Sequence, residues 1–157
     1  MTADEILYKL AAKCSISEQC LSDIEAKLAK YDLSDEEKTR ILHYLVEEKY
    51  IDDKRYAEAF VRDKYRFNKW GRIKIAQGLR MKGIDKETIA TAMEAIDEAE
   101  YLDILRDLLK AKRKSTKGKN EYEVNGKLVR FATGRGFEYA AIRQCLGASV
   151  DEFEEWG

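Results

Sequence analysis

The chain contains no proline in 157 residues, where average usage would give roughly eight. Proline removes an amide donor and clashes with the preceding helical turn, so its absence favours an all-helical chain. Histidine occurs once, at His43 between Leu42 and Tyr44, and a lone imidazole on a helical stripe is more often structural than catalytic. The three cysteines, Cys14, Cys20 and Cys145, form no Cys-x-x-Cys pair. That spacing excludes the usual zinc sites and fits a reducing cytoplasm. No run of eighteen apolar residues exists, so nothing is expected to span a membrane. The start, MTADEILYKL, is acidic and lacks the basic, apolar pattern of a signal peptide, and a cytoplasmic location is expected. Lys117-Gly118-Lys119-Asn120 lacks the earlier glycine and the hydroxyl residue of a phosphate loop. Gly134-Arg135-Gly136 reads as a helix-ending turn. Carboxylates are plentiful, but they fall where helix N-termini favour them. With no catalytic constellation, metal-ligand set or cofactor motif, a non-enzymatic binding protein is expected.

What is present is charge and a period of 3.6. Charged residues make up 38% of the chain, yet the formal net charge is −1. Apolar stripes recur at helical spacing: Ile6, Leu7, Leu10 and Ala11; Leu21, Ile24 and Leu28; Ile41, Leu42, Leu45 and Val46. The pattern continues through Tyr56, Phe60 and Val61; Ile73, Ile75 and Leu79; Ile89, Met93 and Ile96. Leu102, Leu105, Leu108 and Leu109 follow, then Leu128 and Phe131, then Ile142, Cys145 and Leu146. Nine helices are predicted, and no strands. Several starts combine an apolar residue, a capping residue and a second apolar residue four positions on: Ile16-Ser17 with Leu21, Ile51-Asp52 with Tyr56, Ile84-Asp85 with Ile89, and Ile96-Asp97 with Tyr101. This is a hydrophobic staple around an N-cap.

The helix breaks reveal a repeat. KLAKYDLSDEEKTRILHYL, GLRMKGIDKETIATAMEAI and LVRFATGRGFEYAAIRQCL each carry a helix end, a tight turn, an apolar landmark and a new helix. The landmarks are Leu33, Ile84 and Phe137, and an apolar residue follows nine positions later in each. Gly83 and Gly136 precede two of them, where a helix end favours a left-handed residue. The chain is therefore expected to form three tandem three-helix repeats, 1–50 (the divergent copy), 51–96 and 97–157, making an elongated, curved body.

Charge follows blocks along the sequence. Residues 54–82 carry ten basic against two acidic residues, and residues 105–146 carry a net +7; the flanking blocks are acidic. Such patterning gives a surface field that the net charge conceals. Arg62, Lys64, Arg66, Lys69, Arg72 and Lys74 surround Tyr65, Phe67 and Trp70, a mixture suited to phosphates and exposed bases. Tyr56 and Phe60 are assigned to the core, and Trp70 is the one aromatic left as a candidate for the surface. Lys112, Arg113, Lys114 and Lys117 form a second basic group, with Arg130, Arg135 and Arg143 as further choices. Arg55 and Arg62 could instead be structural, paired with Asp52, Asp53 or Asp63 across a turn, a reading about even for Arg55. Major-groove reading by a helix–turn–helix over 71–96 is disfavoured, because its second helix is acidic.

DDKRYAEAFVRDK, GRIKIAQGLRMKGI and KLVRFATGRGFEYAAIRQCL together closely resemble the RecX family of bacterial regulatory proteins. The resemblance runs from Ser15 to Leu146 and rests on Tyr50-Ile51-Asp52-Asp53, Arg55-Tyr56-Ala57, Phe60-Val61-Arg62, Gly71-Arg72-Ile73, Lys82-Gly83-Ile84 and Arg135-Gly136-Phe137. Ala132, where a larger apolar residue is common, and Lys38 in the first repeat depart from it. The resemblance implies tandem three-helix repeats and a monomeric regulator of the recombinase RecA, with a part in DNA repair and the SOS response. Such a regulator binds in the groove of the RecA filament on single-stranded DNA. There it inhibits strand exchange, ATP hydrolysis and co-protease activity without being an enzyme. The alternative is a sequence-nonspecific DNA-binding protein acting without RecA.

Overall fold

The computed structural model describes residues 1–147. These residues form nine helices and no strands: α1 (Ala3–Ile16), α2 (Leu21–Leu28), α3 (Asp35–Glu47), α4 (Asp53–Arg66), α5 (Arg72–Met81), α6 (Lys86–Met93), α7 (Glu98–Ser115), α8 (Glu121–Gly134) and α9 (Tyr139–Leu146). No described helix is long and apolar enough to cross a membrane. The all-α reading and the count of nine hold for the described residues. The acidic end with Trp156 lies outside them.

Most of the sequence-read caps are in place. Asp52 accepts from the Arg55 amide at 3.1 Å, Asp85 from Thr88 at 2.7 Å and Asp97 from Glu100 at 3.0 Å. Ser34 and Glu37 exchange bonds as a capping box. One cap moves. The first helix runs on to Ile16, and Ser17 closes it by donating its amide to the Lys13 carbonyl at 3.2 Å. Ile16, expected as half of a staple, is 86% exposed. The residue that opens α2 is Cys20, whose amide is held by Asp23 at 3.3 Å. The Leu21 amide, orphaned at that helix start, donates to the Asp53 carboxylate at 2.9 Å. A partner distant in sequence thus replaces the local cap.

The chain packs as two compact units. Met1–Ala59 with Leu79–Ala92 form the first; Phe60–Gly78 with the residues from Met93 onward form the second. Sequence spacing groups α4, α5 and α6 as the middle repeat, and the compact units divide that repeat's residues between them. The first unit is built around Ile6, Leu10, Ile24, Leu28, Ile41, Leu45 and Ile51. Polar contacts tie the ends of α4 and α5 into it. Arg55 pairs with Glu18 at 2.6 Å and donates to the Lys49 and Tyr50 carbonyls. Lys82 pairs with Asp23 at 2.8 Å, and Ser22 donates to the Lys82 carbonyl at 2.6 Å. Arg55 is therefore structural, with Glu18 as its carboxylate in place of the aspartates considered from sequence. Burial raises the Asp23 carboxyl, but the bonds from Lys82 and Cys20 outweigh it and hold the group below its usual range.

In the second unit the core holds Val61, Tyr65, Ile75, Tyr101, Leu105, Leu128, Val129, Phe137 and Ile142. The Tyr101 ring sits 6.4 Å from Tyr65 and 5.3 Å from Phe137. Ala132 is fully buried there, so the smaller side chain is matched to a close-packed place.

Candidate functional site

The site begins where α4 ends. The Trp70 amide donates to the Lys64 carbonyl at 3.0 Å, and Lys69 takes a left-handed conformation (φ 58°) to make that return. The indole folds back and lies between two ammonium groups, Lys64 at 4.7 Å and Lys74 at 4.6 Å from the ring centroid. Its edge meets Phe60 at 6.3 Å. Phe60 in turn covers Gly78, where an added Cβ would come within 2.8 Å of the ring. Trp70 is thus half-buried, and Phe60 is only partly buried. The exposed aromatic of this stretch is Phe67, with 77% of its surface open, while Tyr65 is fully buried. Charge and spacing do not separate these neighbours; the tertiary fold of the turn does.

A second turn docks directly on the first. The Gly71 amide donates to the Arg135 carbonyl at 2.8 Å, and the Ile73 amide to the Gly136 carbonyl at 3.0 Å. Backbone meets backbone here: a Cβ on Gly71 would lie 2.2 Å from the Gly136 carbonyl carbon, and one on Gly136 would lie 2.4 Å from the Lys74 Cβ. Gly136 also has φ +93°, so it satisfies both the left-handed helix end and the close approach. Arg135 crosses the junction and donates to the Lys69 carbonyl at 3.1 Å and to the Asn68 carbonyl. Its guanidinium carbon lies 5.9 Å from the Phe131 ring, which also carries the Lys112 ammonium at 4.9 Å. The part of the first basic block between Phe60 and Gly78 is thereby joined to the second block within one unit. A chain of contacts runs from Lys64 through Trp70, Lys74, Gly136, Arg135 and Phe131 to Lys112.

The predicted residues divide by what they touch. Arg66 pairs with Glu100 at 3.0 Å, beside the Tyr65 hydroxyl, which donates to the same carboxylate. Those two donors hold the Glu100 carboxyl below its usual range. Arg72 pairs with Glu138 at 2.8 Å and with Glu98, and stacks 4.1 Å over the Tyr101 ring. Burial disfavours its charge, but the two carboxylates keep it firmly protonated. Burial and the Glu138 carboxylate push the Tyr101 phenol well up. Arg113 donates to the buried Asn125 at 2.8 Å. Arg72 does not follow the exposed helical phase expected of it, since Glu98 of α7 and Glu138, just before α9, present acids at that position. By contrast, Lys64, Lys69, Lys74, Lys112 and Arg135 have no carboxylate within 4.0 Å among the described residues. Arg62, Lys114, Lys117, Arg130 and Arg143 are exposed.

Charge also separates by unit. The described part of the second unit has seventeen basic and ten acidic residues, a formal +7. The first unit has twelve against sixteen, a formal −4. Cations that lack a carboxylate and lie on aromatic faces are attracted to the ring quadrupole. They keep their charge available to phosphate. Elsewhere, His43 is exposed, 3.9 Å from Glu47. Burial pushes the Cys14, Cys20 and Cys145 thiols up, away from thiolate. Among the described residues no group of three His, Cys, Asp or Glu side chains converges on a metal position.

Residues 52–93 match the family model for RecX, second three-helix domain, and residues 98–146 match that for RecX, third three-helix domain. The regulatory protein RecX of Neisseria meningitidis serogroup C is 32% identical over 136 residues, spanning 85% of this chain and 84% of that protein. Its namesake in Clostridium acetobutylicum is 26% identical over 150 residues, or 91% and 69% of the two chains. The crystal structure of RecX from Lactobacillus salivarius shares the fold, with a TM-score of 0.80 at 21% identity over 98% of this chain and 97% of that one. Two consecutive three-helix domain matches cover more than half of the sequence, and a relative above 30% identity is matched over most of its length; the chain belongs to the RecX family.

Proposed function

We propose that this chain binds the RecA filament on single-stranded DNA and restrains the recombinase, ATPase and co-protease activities of RecA. The cationic face of the second unit meets the nucleic acid, and the acidic first unit faces protein. Family membership supports the regulatory role. The observation that carries the DNA-facing assignment is the run of Lys64, Lys69, Lys74, Lys112 and Arg135, none with a carboxylate within reach among the described residues and three of them lysines seated on aromatic rings. Phosphate is the ligand such a strip fits, because each ion pair with the backbone releases condensed counterions.

The test reverses charge at Lys64, Lys74 and Lys112 together. All three ammonium groups sit at the outer end of their side chains, so helicity should survive. The triple variant should inhibit RecA ATPase on single-stranded DNA at least tenfold less well. The salt dependence of binding should also fall by about 0.7 in log–log slope for each phosphate that the variant no longer neutralises. Unchanged inhibition by a folded triple variant refutes the assignment of this face. Wild-type protein that binds naked strands as tightly as RecA-coated ones refutes the filament as its target.

A further inference from the structure

Phe67 is a large apolar side chain, 77% exposed, on a turn whose backbone is well bonded. The Asp63 carbonyl accepts from the Phe67 amide at 2.9 Å, and the Lys64 carbonyl from Trp70 at 3.0 Å. The Arg66 carbonyl accepts from the Lys69 ammonium at 2.6 Å. Arg135 holds the carbonyls of Asn68 and Lys69 from the neighbouring turn. The segment is fixed by these bonds, and among the described residues no ring or cation lies against Phe67, whereas Tyr65 and Trp70 both have such partners. Phe67 follows the last residue of α4, three residues after Lys64, and its amide still closes the final turn on the Asp63 carbonyl. Lys69 follows two residues later. Asp63, four residues before Phe67, is exposed, and Glu100 is paired with Arg66, the residue next to Phe67.

We infer that Phe67 is a base-stacking site for an unpaired nucleobase of a single strand, placed at one end of the lysine strip. This rests on the reading of the second unit as the nucleic-acid face. A rigid, exposed ring beside phosphate-binding cations offers a π-surface at little ordering cost. Duplex DNA keeps its bases stacked inside and cannot use it. A protein pocket would accept the same ring, but five cations without carboxylate partners within the same unit favour a polyanion. Stacking needs aromaticity, whereas a pocket needs only bulk, and this difference separates the two occupants.

The experiment measures binding of the full chain to an oligothymidylate and to a duplex of equal length, at one low salt concentration. Phe67→Ala should weaken single-strand binding by about 5- to 150-fold, the change that accompanies removal of one stacked base. Duplex binding should stay within twofold. Phe67→Trp should restore single-strand binding, and Phe67→Leu should not. Restoration by leucine overturns the inference in favour of an apolar contact that needs only bulk. Equal weakening on single strand and duplex overturns it in favour of a general structural effect. Full binding by Phe67→Ala, with the lysine triple variant defective, refutes the stacking site alone and leaves the cationic face intact. Full binding by both variants refutes the face as well.

Discussion

Replacing Gly71 with alanine tests whether the cationic face is held together by two turns in backbone contact. The added methyl group would lie 2.2 Å from the Gly136 carbonyl carbon and the Phe137 amide nitrogen, against ordinary contact from 3.4 Å outward. Both obstructing groups are backbone, so no side-chain rotation relieves the overlap. The turns must separate by about an ångström, by the usual limits of carbon contact. That movement breaks the bonds from Gly71 to Arg135 (2.8 Å) and from Ile73 to Gly136 (3.0 Å). At about 0.5–1.5 kcal/mol for each bond and about 1–3 kcal/mol for overpacking, the destabilisation is about 2–6 kcal/mol. Against a total stability of about 5–15 kcal/mol, this is a large fraction. Urea unfolding followed by far-UV circular dichroism measures it. Gly83→Ala is the control: Gly83 has φ +76° with nothing within 4 Å of an added Cβ, so it should show only the left-handed strain of about 1–2 kcal/mol. A Gly71→Ala protein within about 0.5 kcal/mol of wild type, roughly a third of a tenfold equilibrium shift, would refute the turn-docking argument.

Two further outcomes follow from the ion pairs. Arg72→Ala leaves Glu98, Glu138 and the Tyr101 ring without the guanidinium they surround. It should cost about 1–3 kcal/mol in a urea titration, below the range for a fully buried pair because the arginine remains 27% exposed; an unchanged midpoint would show the cluster to be irrelevant to stability. Asp23 and Glu100 are held below their ordinary values of 3.8 and 4.5. Their stabilisation is complete above those values and is lost as the pH falls through the lower folded-state values, because the unfolded chain then binds protons first. The urea midpoint should therefore be flat from neutrality to about pH 5 and fall below about pH 4. Asp23→Asn should flatten part of that fall, and an unaltered pH profile would contradict the role given to the Lys82 pair.

Legibility from sequence differs between element and surface. The caps Asp52, Asp85 and Asp97 can be read because an N-cap is a local bond spanning three residues. Ser17 fits the same local pattern yet closes α1 instead of opening α2, whose Leu21 amide is held by Asp53, thirty-two residues away. Arg66 and Arg72 look like Lys64 and Lys74 in a basic run, yet Glu100, Glu98 and Glu138 neutralise the first two. Phe67 takes the exposed place expected of Trp70, since only the folded turn puts the indole between two lysines. Asn120, the cap of α8 through a 2.9 Å bond to the Glu123 amide, lies at the end of a lysine-rich run; its spacing to the acid at the third helical position is the signal that marks it.

By itself the sequence determined the helices, their number and the three-fold repeat, because periodicity, capping and the absence of proline act over a few residues. It also determined that two blocks of positive charge exist. Only the tertiary structure decided that Lys64, Lys69 and Lys74 of the first block share a unit with the second block, where Arg135 crosses from one turn to the other. It alone showed why Gly71 and Gly136 are glycines together, each leaving room for the other's backbone. Charge is a property of a residue, but whether that charge is available depends on which carboxylates the fold brings beside it.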